Sequence, residues 1–219
     1  MFTETFILTI ALGILVIILV LSKKPLNYRA RRILLNARST EMSVKELLEL
    51  DSPRSKKRGR GYLLCEQTVK SVGHRYAGRL DAAVMSWEEV PTAHLVVERK
   101  FPVNHLPKAA RQEDFFQAGL YALALLETGV SCSSTLLMII YCLQDRAKRC
   151  MEKPSRQSCA SCGDARVFVS RFNQNQLERT LERLDEVWFS RRPPRPTRRA
   201  DMCRICPFGA KGTCNYELT

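Results

Sequence analysis

Asp81, Glu98, Lys100, Gln117 and Tyr121 have the types and spacing to do chemistry together. Glu98 and Lys100 close the apolar run A-H-L-V-V-E-R-K-F at residues 93–101, which reads as a strand. Strand side chains alternate faces, so Glu98 and Lys100 project to one side and Arg99 to the other. Asp81 closes G-R-L-D at residues 78–81, on a preceding strand. If the two strands pair, two carboxylates and one ammonium converge. Hard oxygen ligands of this kind suit Mg²⁺ or Mn²⁺, which accept few protein carboxylates and keep positions for water and phosphate. The ammonium can orient or help deprotonate an attacking water, or stabilise charge building on a phosphate. Gln117 and Tyr121, spaced i, i+4 in Q-A-G-L-Y, share one helix face, from which an amide and a phenol can reach a phosphate or the lysine.

Each piece alone has a bland reading. An E-x-K is most often an exposed ion pair, and a Q-x-x-x-Y is most often a helix surface. Specificity comes from their order on strand, strand and helix. Taken in that order, G-x-x-D, hydrophobic-E-x-K and Q-x-x-x-Y resemble the motifs of the PD-(D/E)xK nucleases. The branch they resemble most is the RecB-like one, which includes the CRISPR-associated exonucleases and the nuclease domains of certain DNA repair helicases. The resemblance covers roughly residues 62–214. It implies an α/β, restriction-endonuclease-like core: a central mixed sheet of about five strands flanked by helices. It also implies metal-dependent hydrolysis of DNA phosphodiesters, with single-stranded ends as substrate. Asp81 and Glu98 would then hold the metal, with the backbone carbonyl of Arg99 as a further ligand. Lys100 would position water or stabilise the transition state, and Gln117 and Tyr121 would position the scissile phosphate or Lys100. An acidic residue or a histidine on an early helix often adds a ligand in the family; Glu46 or Glu49 could serve, and the bland reading of either is a helix-surface carboxylate.

The elements that must carry these residues are visible in the pattern. Residues 62–70 and 74–85 read as a strand pair, with a turn near Ser71-Val72-Gly73. A helix is expected over 112–127, strands over 134–143 and 166–172, and a helix over 173–190 with Leu177, Leu181, Leu184 and Trp188 on one stripe. The connection at 144–165 is too long for a tight hairpin. Ser43 and Glu46 have capping-box spacing at the start of a short helix.

The chain has 219 residues, ordinary hydrophobic content and a net charge of +13. That excess calls for an anionic partner: nucleic acid, an anionic membrane face, or both. Residues 6–22 (FILTIALGILVIILVLS) carry no charge and, as a helix, span about 25 Å, near the range of a single crossing. Lys23, Lys24, Arg29, Arg31 and Arg32 follow, which places the remainder on the cytoplasmic side. The expected organisation is a single-pass anchor at 1–24, a basic juxtamembrane segment at 25–60, the nuclease-like domain at 61–200 and a cysteine-rich tail at 201–219. Residues 23–40 read either as lying along headgroups or as a solvated connector.

The nine cysteines sort by context. In a cytoplasmic domain disulfides are disfavoured. Cys132, Cys142 and Cys150 read as buried small hydrophobes. Cys203-x2-Cys206 followed by Cys214, among Pro207, Gly209 and Gly212, has the look of a metal-binding turn. In the resembling exonucleases three C-terminal cysteines join one from before the active-site motifs around a [4Fe–4S] cluster. Cys203, Cys206 and Cys214 match that set, and Cys65 is the cysteine before Asp81, although it lies on a predicted strand, unlike the family's usual one. The rival arrangement pairs Cys159-x2-Cys162 with Cys203-x2-Cys206 around Zn²⁺. Two other readings stand beside an enzyme: a catalytically silent nucleic-acid-binding module, and a zinc-stapled, membrane-associated interaction protein.

Overall fold

A computed structural model of the chain describes residues 25–49, 61–87, 89–151 and 158–191, and in the tail 203–204, 206–207 and 214. The expected anchor at 6–22, the basic loop at 51–60 and most of the cysteine-rich tail lie outside the described residues. Among the described residues no helix is long and apolar enough to cross a membrane. The chain divides into two units, Met1–Leu177 and Glu178–Thr219.

The first unit is α/β. Its elements are α1 (Leu26–Asn36), β1 (Arg38–Ser39), α2 (Val44–Leu48), β2 (Tyr62–Ser71), β3 (Tyr76–Trp87), β4 (Pro91–Lys100), α3 (Gln112–Glu127), β5 (Leu136–Cys142), α4 (Gln144–Met151), a 3-10 turn at Ser158–Ala160 and β6 (Ala165–Arg171). A last helix, α5 (Gln174–Trp188), starts in this unit. The six strands form one mixed sheet in chain order. β1 runs parallel to β2 and β4 parallel to β5; the other neighbours are antiparallel. The strand beyond the five expected is β1, only two residues long, added at the β2 edge.

A parallel pair needs a crossover, and α3 supplies it between β4 and β5. β5 (LLMIIYC) is buried at every position, as a strand must be when both faces of its sheet are covered. Leu137, Ile139 and Tyr141 join the core under α3 and α2, while Leu136, Met138 and Ile140 join the core under α1.

Within residues 23–40, helix α1 corrects the reading as a solvated connector. Ala30, Leu34 and Ala37 are buried in the second core, and Leu26 and Ile33 pack against it. These positions recur at helical spacing and outvote the arginines, which stay exposed on the other side. Helix α2 is capped as its sequence suggests: Ser43 Oγ accepts the Glu46 N–H at 3.1 Å, and the Glu46 carboxylate accepts the Ser43 N–H at 2.6 Å. Glu46 is therefore occupied by its own cap.

Candidate active site

The site begins at a shared irregularity in β2 and β3. Their register runs Cys65↔Ala82, then Gln67↔Leu80, with Glu66 between them at φ 53°. Here both strands reverse faces. Leu64 and then Val69 look toward α3 on β2; Ala83 and then Leu80 do so on β3. Asp81 sits at the reversal, where the pleat no longer commits its side chain to one face. Its Oδ2 accepts the Arg99 backbone N–H at 2.6 Å. A strand residue projects its N–H and C=O to the same edge, so the Arg99 carbonyl is on the edge that Asp81 occupies. The Arg99 guanidinium turns to the other face, 3.1 Å from Glu66 Oε1 and 3.9 Å from Asp81 Oδ2. Glu66 also holds Arg79 at 3.2 Å.

Glu98 and Lys100 share the face of Val96, toward α3, by strand alternation. The Lys100 Nζ lies 2.8 Å from Glu98 Oε1 and donates to Gln117 Oε1 at 2.6 Å. Gln117 Nε2 in turn donates to the Tyr121 hydroxyl at 2.7 Å. One hydrogen-bonded chain thus links Glu98, Lys100, Gln117 and Tyr121 across β4 and α3. Asp114, in the first turn of α3, lies 3.5 Å from Lys100 through Oδ1 and accepts the Tyr141 hydroxyl through Oδ2. The Tyr141 oxygen accepts the Arg111 N–H at 3.1 Å, tying the start of α3 to β5.

The electrostatics single out Glu98. It is 5% exposed, and its Oε2 is buried with no hydrogen-bond partner among the described residues. A buried carboxylate oxygen without a partner is costly, and native structures seldom keep one without a use. Burial pushes the Glu98 carboxyl above its ordinary range; Asp81 and Asp114 add to this, and Lys100 opposes it. On Lys100 burial works against the charge, but Glu98 and Asp114 outweigh it and hold the ammonium above its usual value. Lys100 is thus a cation at neutral pH in this arrangement. Burial also raises the Tyr121 phenol, which feels Glu98, Lys100 and Asp81. Burial and the bond to Asp114 push Tyr141 up to about 12.

Glu98, Lys100, Gln117 and Tyr121 are therefore in direct contact, and Asp81 is within their electrostatic reach while hydrogen-bonded to Arg99. Among the described residues no three His, Cys, Asp or Glu side chains are grouped closely enough to hold one metal ion. Asp114 and Tyr141 were not anticipated from sequence. The available signal was helical: Asp114, Gln117 and Tyr121 fall on one face at i, i+3, i+7. Glu49 is exposed beside Lys45 at 3.7 Å. An open depression of about 380 Å³ lies elsewhere, lined by Leu126, Cys132, Phe172 and Asn173. It includes none of the residues of this site.

Cys65 lies on β2 and packs against the second core. Cys132 and Cys142 are buried as expected, but Cys150 is exposed, because it sits on the polar helix α4 rather than in the strand before it. In the second unit, the Cys206 N–H donates to the Cys203 carbonyl at 3.3 Å, so the C-x2-C forms a turn. No family model, no curated protein and no solved structure matches this chain.

Proposed function

We propose that the chain is a membrane-anchored, Mg²⁺- or Mn²⁺-dependent deoxyribonuclease, acting as an exonuclease on single-stranded DNA ends, on a restriction-endonuclease-like core. The buried, unpartnered Oε2 of Glu98 supports this reading most. It sits beside a lysine that already neutralises the other oxygen, in the place where a hard cation would satisfy it. Asp81 and Glu98, with the Arg99 carbonyl, would hold the metal. When bound, such an ion supplies Lewis acidity toward a phosphate oxygen and lowers the pKa of a coordinated water.

The remaining work falls to the chain's own residues. Lys100, a cation fixed by Glu98, Asp114 and Gln117, stabilises charge on the scissile phosphate and orients water. Gln117 fixes the Lys100 ammonium, and Tyr121 fixes Gln117. The net charge of +13 draws the strand in. Residues 6–22 hold the enzyme at a membrane with this domain on the cytoplasmic side. The turn of Cys203 and Cys206, with Cys214, fits a thiolate-bound centre, which we assign to a [4Fe–4S] cluster.

The test is cleavage of labelled single-stranded DNA by the full chain in detergent with Mn²⁺. Wild type should release nucleotides, and Asp81→Ala and Lys100→Ala should not, while remaining folded. Equal cleavage by both variants would falsify the assignment. Salt-sensitive binding without cleavage by wild type would point instead to the silent binding module.

A further inference from the structure

The connection from β4 to α3 begins and ends at the candidate site. It leaves the sheet after Lys100 and enters the helix at its cap residue Arg111, three residues before Asp114. The Lys100 ammonium and the Asp114 carboxylate, 3.5 Å apart, close its base. Residues 101–111 therefore form a loop rooted in the site, and a strand whose phosphate reaches Lys100 must pass beside it.

The loop is pinned from within. The Pro102 carbonyl accepts the Gln144 N–H at 3.1 Å, and the Pro107 carbonyl accepts from Arg166 Nη1 at 3.1 Å. Leu106 and Ala110 pack against the core under α3. The Arg111 N–H donates to the Tyr141 oxygen at 3.1 Å. Between these anchors Phe101 and Val103 face water, 47% and 69% exposed. Phe115, Phe116, Phe168 and Phe172 are all partly buried. A loop held at so many points presents its phenylalanine in a fixed place, and an apolar patch rimmed by polar residues marks a binding surface.

The rim says what binds there. Residues 101–112 (FPVNHLPKAARQ) include no Asp or Glu, and Lys108 and Arg111 are exposed. Arg166, also exposed, brings a third cation to Pro107. Aromatic surface among cations, rooted at a lysine, suits a run of unpaired nucleotides: a base stacks on the ring and the phosphates meet the cations. A duplex offers the same phosphates but keeps its bases stacked on one another.

We propose that the loop at residues 101–111 is the single-strand-binding surface of this site, with Phe101 as the platform for an unpaired base and Lys108, Arg111 and Arg166 on the flanking phosphates. This deepens the nuclease reading and rests on it for the position of the strand at Lys100. Phe101 then sets the preference for single strands over duplex, and the three cations serve both.

The experiment reads binding apart from cleavage. The full chain in detergent, without divalent metal, is titrated into labelled oligothymidylate and into a labelled duplex of equal length, followed by fluorescence anisotropy. Phe101→Ala should weaken single-strand binding by about 5–150-fold, the cost of one lost stacking contact, and leave duplex binding unchanged. Phe101→Leu keeps apolar bulk without a ring face and should lose as much, whereas Phe101→Trp should bind as wild type does. Lys108→Ala should lower the slope of log affinity against log salt by about 0.7 on single strands. Unchanged single-strand affinity in Phe101→Ala, full affinity in Phe101→Leu, or an equal loss on both DNAs would each overturn the platform. The two readings fail separately. A wild type that binds single strands through Phe101 but does not cut them with Mn²⁺ sinks the nuclease and keeps the surface. A wild type that cuts, beside a Phe101→Ala variant that binds and cuts equally well, sinks the surface alone.

Discussion

The ring of Tyr121 lies directly against Gly78: a Cβ at position 78 would come within 2.6 Å of Tyr121 Cε1. The glycine of G-x-x-D and the tyrosine of Q-x-x-x-Y are thus two sides of one contact. The missing side chain lets α3 settle onto β3 three residues before Asp81, which brings Gln117 within reach of Lys100. Gly78→Ala should cost about 1–3 kcal/mol by overpacking, and it should reduce cleavage because the Gln117–Tyr121 pair is displaced. Urea unfolding and the Mn²⁺-dependent assay check both. Tyr121→Phe keeps the packing and removes the hydroxyl, so it should cost only about 1 kcal/mol for the lost hydrogen bond. Full stability and full activity in the Gly78→Ala variant would show that the contact does not position the site.

Glu98→Gln separates stability from activity. Ionised Glu98 is disfavoured by burial and by its acidic neighbours, and only one of its oxygens is satisfied. Glutamine removes that charge at nearly constant shape. The metal-free variant should be no less stable than wild type at neutral pH, but it should lose the stabilisation that Mn²⁺ gives wild type, together with cleavage. Thermal melts of both proteins with and without Mn²⁺ decide this. A variant that still gains melting temperature with Mn²⁺ as wild type does would remove Glu98 from the metal site.

The same charge sets a pH dependence. The folded carboxyl of Glu98 titrates above its unfolded value, so between the two the native state holds the extra proton. The Glu98 contribution to metal-free stability is then fully present below the unfolded value and is lost as pH rises through the folded one. Mn²⁺ should reverse the trend, because it favours the carboxylate. Chemical denaturation from acid to neutral pH, with and without metal, should give curves that diverge as pH rises. Parallel curves would mean that Glu98 and the metal are not linked.

Much of this architecture could be read from residue patterns. The bounds of α3 were readable because charged residues precede the apolar face and Gly129 follows it. The capping box of α2 was readable because its two bonds are local. Faces were harder. Period-two alternation placed Glu98 and Lys100 together, but it fails at Asp81, where β2 and β3 both reverse. On β2 the reversal coincides with the positive φ of Glu66, which no local sequence signal announces. Helix α1 was hidden by its arginines, since its two buried positions, Ala30 and Leu34, make a faint stripe beside such charge. Asp114 was missed because its partners, Lys100 and Tyr141, come from two different strands. Long-range pairing of that kind follows from topology, not from spacing.

Asp114 offers the most discriminating test of how Lys100 works. Its carboxylate is one of two that hold the ammonium above the ordinary lysine value, and it is fixed in turn by the Tyr141 hydroxyl. Asp114→Asn keeps an acceptor for Tyr141 and removes the charge. The Lys100 ammonium should then release its proton at a lower pH, so the alkaline limb of the cleavage–pH profile should move down. At neutral pH the ammonium is still largely charged, so the loss should be modest, about tenfold or less. Lys100→Met, which removes the cation, should cost about 10²–10³-fold. Tyr141→Phe frees Asp114 without altering its charge and should leave the alkaline limb close to its wild-type position. If Asp114→Asn leaves the limb where it is, Lys100 does not act as the cation in cleavage.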